Sequence, residues 1–250
     1  MAAETTYRDY VADREFERGY AEHQQRWRAC VRESDRVLMR RIAALRASLG
    51  RPLALLDVGC STGNLLHHLR AACPEDELVG ADLMAETVAA NAADPALAGI
   101  RFDVADVCAL PYEAAFDVVV ANAVLFLFDD DDLARAYASI AVALRPGGTV
   151  IAFDFAHEFG QSLRIVERSA THPDGMPLHF RPFAEIRELL AGAGLVDAEY
   201  EPFAIPIDLP RPASDDDLIS RTERAADGRR LLFRGALFQP WCHWSARRPA

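Results

Sequence analysis

The sequence predicts a three-layer α/β protein, a mostly parallel sheet with helices on both faces, and three observations carry that prediction. Short apolar runs alternate with helical stretches from Leu53 onward. The runs are almost continuously apolar, as strands covered on two faces must be. The first run ends on an acid, and a small-residue turn then opens straight into a helix: Asp57-Val58-Gly59-Cys60-Ser61-Thr62-Gly63-Asn64. With 250 residues, 51% of them hydrophobic, the chain is long enough to bury one sizeable core and too apolar for large-scale disorder.

Taken in order, residues 4–49 read as helical. They are rich in Arg and Glu, lack Pro, place Leu38, Ile42, Leu45 and Leu49 at helical spacing, and stop at Gly50-Arg51-Pro52. Strands are expected at 53–58, 78–82, 101–104, 117–122 and 149–155. The helices between them begin near Asn64, Ala85 and Asp132; the last carries Leu133, Tyr137, Ile140 and Leu144 and ends at Arg145-Pro146-Gly147-Gly148. Residues 171–182 read as a Pro- and Gly-containing loop flanked by His172 and His179, and 182–194 as a further amphipathic helix. Strands are expected at 198–205 and 236–247. The Pro- and Asp-rich stretch 206–235 between them is too long for a hairpin turn, so it either serves function or carries its own structure. The expected organisation is an N-terminal helical arm (1–50) and one domain (51–250), with 206–235 inserted between its last two strands.

Composition narrows the function. The net charge is −11, from 38 acidic and 27 basic residues, which argues against nucleic acid as a partner. Every cation is Arg and none is Lys, so Schiff-base chemistry and a Walker-type phosphate lysine are excluded. With the abundance of Ala, this also suggests a GC-rich bacterial genome. The five Cys (30, 60, 73, 108 and 242) are odd in number and contain no CxxC pair, which points to a reducing cytoplasm rather than a zinc site or a disulfide framework. His67 and His68 are adjacent and the other histidines scattered, so no metal is expected. No apolar run approaches the roughly 18 residues of a membrane span; the longest, residues 118–128, is interrupted by Asn122. The charged first 30 residues have no signal-peptide character.

The chemistry should sit at the strand ends. Gly59 and Gly63 let the backbone turn sharply and a ligand approach it, and Ser61 between them is small. Val79-Gly80-Ala81-Asp82 ends in a second acid, placed to accept both hydroxyls of a ribose. Phe102-Asp103-Val104-Ala105-Asp106 brings a third, placed to receive an amino group such as that of adenine. Any one of these acids reads equally as a helix N-cap. Three in order at consecutive strand ends do not.

These residues, together with Leu144-Arg145-Pro146-Gly147-Gly148-Thr149-Val150 before the fifth strand, resemble the class I S-adenosylmethionine (SAM) dependent methyltransferases over about residues 53–155. The resemblance implies a Rossmann-like seven-stranded sheet whose last strand is antiparallel, with SAM across the carboxyl ends of the first strands. By position, Asp57 would lie near the methionine amino group, with Gly59, Ser61 and Gly63 bordering the methionine portion. Asp82 would hold the ribose and Asp106 the adenine amino group, with Leu83 and Val107 beside them and Asn122 next to the sulfonium. Ser61 departs from the family, which more often has Gly there. After Asn122 some members carry His or an acid-Pro pair; here Ala123-Val124 leads into an apolar wall.

The expected activity is methyl transfer to O or N of a small polar metabolite, sugar or natural-product intermediate, by a monomer or homodimer in the cytoplasm. A catalytically inactive SAM-fold module is the alternative. A nicotinamide dehydrogenase fits less well, because its fingerprint is G-x-G-x-x-G rather than G-x-S-x-G and because it leaves Asp106 without a role. His157 and Glu158 directly follow the expected fifth strand and should face the crevice, with His157 the first candidate base. His179 would line the acceptor side. Arg229, Arg230 and Arg234 would meet an anionic substrate or form a solvated face. In the arm, Tyr7, Tyr10 and Tyr20, with Phe16, His23 and Trp27, would form either a lid or a stripe packed on the sheet edge.

Overall fold

The computed structural model describes residues 6–8, 24, 28–169, 172–211, 213, 219–234 and 237–250. Within these, the main helix of the N-terminal region is α1 (Glu33–Leu49). It stops where the sequence says it should: Gly50 takes the left-handed conformation (φ 64°), and its N–H closes on the Arg46 carbonyl at 3.0 Å. Alternating strands and helices follow: β1 (Ala54–Val58), α2 (Asn64–Ala72), β2 (Glu77–Asp82), α3 (Ala85–Ala93), β3 (Arg101–Val104), β4 (Phe116–Asn122), α4 (Asp130–Ala143) and β5 (Leu144–His157). Helix α4 begins two residues earlier than expected because the Asp129 carboxylate accepts the Asp132 N–H and caps it.

The sheet runs in the order β3-β2-β1-β4-β5-β12-β8. Its first five strands are parallel, while β12 (Trp241–Arg247) lies antiparallel to both neighbours, β5 and β8 (Val196–Pro202). This is the seven-strand path with its antiparallel last strand. Period-two alternation divides the core. Leu55, Val118, Val120 and Ile151 pack beneath α1 and α2 with Leu38, Ile42 and Leu66. Leu56, Val119, Val150 and Ala152 pack beneath α4 and α5 (Phe183–Gly192) with Tyr137, Ile140 and Leu190.

The later part of the chain corrects the sequence reading. Residues expected as a loop form strand β7 (His172–Pro182), antiparallel to β6 (Leu163–Ser169), a strand the sequence reading lacked. Pro177 is tolerated there because β7 has only β6 beside it at that point. At its far end β7 joins β5 through Ala156–Arg181 and His157–Pro182, extending the sheet to nine strands. The stretch expected as a single strand at 236–247 breaks at Gln239-Pro240 into β11 (Leu237–Phe238) and β12. Residues 206–235 do carry structure of their own: β9 (Ser220–Arg224) and β10 (Arg230–Arg234) join β11 in a separate antiparallel sheet. Along β12, Cys242, His243 and Trp244 are all fully buried, because an inner strand is covered on both faces.

Candidate functional site

The carboxyl ends of β1, β2, β3 and β4 surround one cleft. Asp57, Gly59, Ser61, Asp82, Leu83, Asp106, Val107, Asn122 and Tyr7 all line it. The floor is the turn between β1 and α2. Gly59, Ser61 and Gly63 all take positive φ, at 65°, 46° and 68°. At Gly59 a Cβ would stand 2.8 Å from Val124 Cγ2, so the close approach as well as the dihedral demands glycine. Ser61 has no such licence. Its N–H donates to Asp82 Oδ2 (2.9 Å) and its carbonyl accepts from Asn91 Nδ2 (2.6 Å), and together these bonds hold the strained residue in place.

Each acid has its own electrostatic setting. Asp57 is buried, and its Oδ1 has no hydrogen-bond partner. Burial pushes its carboxyl up to about 8; the neighbouring charge of Asp35 adds to the shift and Arg32 opposes it. A buried acceptor left open at a cleft wall is the mark of a site shaped for a donor from outside. Asp82 is likewise raised by burial, against the amides of Met84 and Ser61 that donate to it. For Asp106, burial alone would raise the carboxyl, but the Cys108 N–H (2.9 Å), Arg8 (2.7 Å) and the Tyr7 hydroxyl (3.1 Å) together hold it below its ordinary value. Tyr7 also sets its ring 4.3 Å from that of Phe128. The arm therefore reaches the third acid directly.

Other residues of the site escaped the sequence reading. At the start of α1, Arg32 lines the cleft and donates from Nε to Asp35 Oδ2 (2.8 Å), while Asp35 Oδ1 accepts from Asn122 Nδ2 (3.0 Å). Arg28 braces the turn from behind, donating to Asn64 Oδ1 (2.9 Å) and the Thr62 carbonyl (2.7 Å). One signal was legible: Asp35 shares the apolar stripe of Leu38 and Ile42, and an acid on a buried stripe needs a partner.

The structure does not bring every candidate to this cleft. Strand β5 continues two residues past its expected end, so His157 is its last residue, paired with Pro182. It is buried, with Nδ1 unpartnered, and is not among the cleft-lining residues. Glu158 is exposed next to it. His179 lies on β7, where burial and the charges of Arg181 and Arg164 push its imidazole down to about 4. Arg229, Arg230 and Arg234 pair with Asp227, Asp208 and Glu167. Tyr10 and Tyr20, with Phe16, His23 and Trp27, lie outside the described residues. Among the described residues, no group of three or more His, Cys, Asp or Glu is placed to hold a metal ion, and no helix is long and apolar enough to cross a membrane.

Residues 55–148, the stretch that builds most of the cleft, match the family described as "Methyltransferase domain". The chain is 32% identical over 120 residues to a demethylmenaquinone methyltransferase of Deinococcus radiodurans, covering 46% of this chain and 48% of that protein. It is 35% identical over 103 residues to a trans-aconitate 2-methyltransferase of Methylobacterium nodulans, covering 41% and 38%. It thus spans less than half the length of these curated relatives. Among solved structures, it superposes on a Burkholderia thailandensis 1,6-didemethyltoxoflavin-N1-methyltransferase, determined with its acceptor and S-adenosylhomocysteine (SAH). That superposition has TM-score 0.62 at 21% identity and covers all of this chain and 93% of the other. The chain thus shares the fold of a solved methyltransferase, and the stretch that carries the glycine turn and the three strand-end acids is similar to the methyltransferase domain family.

Proposed function

We propose that the chain transfers a methyl group from SAM to an O or N atom of a small polar acceptor: a metabolite, sugar or natural-product intermediate. The observation that carries the reading is the unpartnered Oδ1 of buried Asp57, at the head of a cleft whose other two acids stand at the ends of β2 and near β3. These groups fit SAM. Asp57 takes the methionine ammonium, Gly59 and Ser61 let the methionine portion lie against backbone, and Asp82 accepts the ribose hydroxyls. Asp106 receives the adenine amino group, Leu83 and Val107 cover the ring, and Asn122 stands beside the sulfonium. Two curated relatives, named for a quinone and a small tricarboxylic acid as acceptors, support a small-molecule substrate.

Bound there, SAM supplies a methyl carbon already activated by the sulfonium, so the protein's work is positioning the acceptor and excluding water. Val124, Leu127 and Phe128 form an apolar wall beside Asn122 that excludes water. Tyr7 and Arg8 clamp Asp106 and close the adenine end. His157, with its free Nδ1, is the candidate base for an acceptor approaching along β5 and β7, with Glu158 and His179 beside that approach; His157→Gln then lowers turnover while SAH affinity stays at the wild-type value.

Calorimetry with SAH, SAM and NAD tests the reading. SAH and SAM should bind and NAD should not. Asp82→Ala should cost about 1.5–3 kcal/mol of SAH affinity. Preference for NAD, or unchanged affinity in Asp82→Ala, overturns it. Label transferred from methyl-labelled SAM into the small-molecule fraction of a cell extract separates enzyme from inactive module.

A further inference from the structure

We infer that the methyl acceptor carries an aromatic ring, and that Phe126 and Trp241 are the residues that recognise it. The inference rests on the SAM reading above and narrows its acceptor to planar, ring-bearing compounds.

Strand register assembles the surface. Phe153, Phe155 and His157 alternate onto one face of β5, and Trp241 of β12 pairs with Phe155 and so shares that face. The Phe203 N–H donates to the Trp241 carbonyl (2.8 Å), which brings a further ring alongside. Deeper in the sheet the same face is aliphatic, built from Leu55, Val118, Val120 and Ile151. It turns aromatic only at the carboxyl ends of the strands, where ligands of open α/β sheets lie. Trp241 stacks on Phe153 (4.5 Å between centroids, 12° between planes), and Phe126 meets Trp241 edge-on (5.5 Å, 86°).

This surface adjoins the cofactor cleft on the side away from the glycine turn. Phe153 pairs with Asn122, and its carbonyl accepts the Ala123 N–H (2.8 Å); Asn122 and Ala123 both line the cleft. Phe126 stands two residues past Val124, another cleft residue. Phe153 and Phe155 are buried, whereas Phe126, Trp241 and Phe203 are half-buried and keep ring surface for a ligand. A ring laid against them gains offset-stacked or edge-to-face contacts that an aliphatic body of the same size lacks. On the same face His157 is buried with its Nδ1 unpartnered, which suits a hydroxyl or ring nitrogen on the acceptor. A sugar brings the polar group without the ring.

The probes are phenol and 2-naphthol, each set against its saturated counterpart, cyclohexanol and decahydro-2-naphthol. Calorimetry on SAH-saturated protein should show each aromatic alcohol binding about two- to ten-fold more tightly than its counterpart. Phe126→Leu and Trp241→Leu should each shrink that preference toward unity while SAH affinity stays at the wild-type value. A merely apolar surface favours the saturated alcohols, which are the more hydrophobic. Equal or reversed preference, binding of neither class, or a preference that survives both substitutions overturns the inference. Thermal melts check that each variant folds; Phe126 lies outside the sheet, so its variant carries the test if Trp241→Leu does not fold. If the wild-type protein does not bind SAH, the SAM reading itself fails, a result distinct from SAH binding without the aromatic preference.

Discussion

In the proposed reading, the buried carboxyl of Asp57 sets cofactor binding against stability in one side chain. Its ordinary value in the unfolded chain is near 4, and in the folded protein it stands at about 8. The native state therefore binds the proton more tightly, and stability is lost as pH rises through that window. Asp57→Asn removes the penalty. Its melting temperature should exceed that of wild type at pH 9 by several degrees, the gap should shrink toward pH 5, and SAH affinity should collapse. Ser61 holds a second tension, because a left-handed backbone costs a non-glycine residue about 1–2 kcal/mol, more than glycine's entropic penalty. Ser61→Gly should therefore raise the urea midpoint by the equivalent of up to about 1 kcal/mol. At this scale the three strand-end acids were legible because each closes an apolar run. Arg32 was not, because an Arg-Asp pair three residues apart at a helix start looks like any solvated surface pair, and Asp35 showed only as an acid on an apolar stripe.

Among the elements, β1 and β4 are registered by a clamp at the end away from the cleft. Asp117 accepts from Arg51, the Ala54 N–H and Arg145. Burial alone would raise its carboxyl, but these donors hold it at about 2. The contribution is present above pH 4 and is lost as pH falls toward 2. Asp117→Asn should cost about 1–3 kcal/mol at pH 7 by chemical denaturation, and the deficit should vanish near pH 2. The N-terminal arm gives the converse case. Tyr7 and Arg8 hold Asp106, and Tyr7 also packs against Phe128 in the core, so deletion of residues 1–20 should cut SAH affinity and turnover and lower the melting temperature as well. Strands β1 to β4 could be placed to within a residue or so because apolar runs bounded by acids and glycines have one periodic reading. The β6–β7 hairpin could not, because His172, Pro173, Gly175 and Pro177 carry turn chemistry inside what tertiary pairing makes a strand.

For the molecule as a whole, binding and folding are linked, since the cleft joins four strands and the start of α1. SAH at a hundred times its dissociation constant should add about 2.7 kcal/mol, a rise of roughly 5–10 °C in melting temperature for a chain of this size. The sheet order has one more consequence. Strand β8 sits at the rim, and its neighbour is β12, which also covers the flank of β5. On the ribosome, β8 emerges some forty residues before the strand that will pair with it, and the nascent sheet must wait with an open side. Assembly therefore finishes late, like a zip drawn up from its final tooth, and a nascent chain stalled before Trp241 should be a client for chaperones.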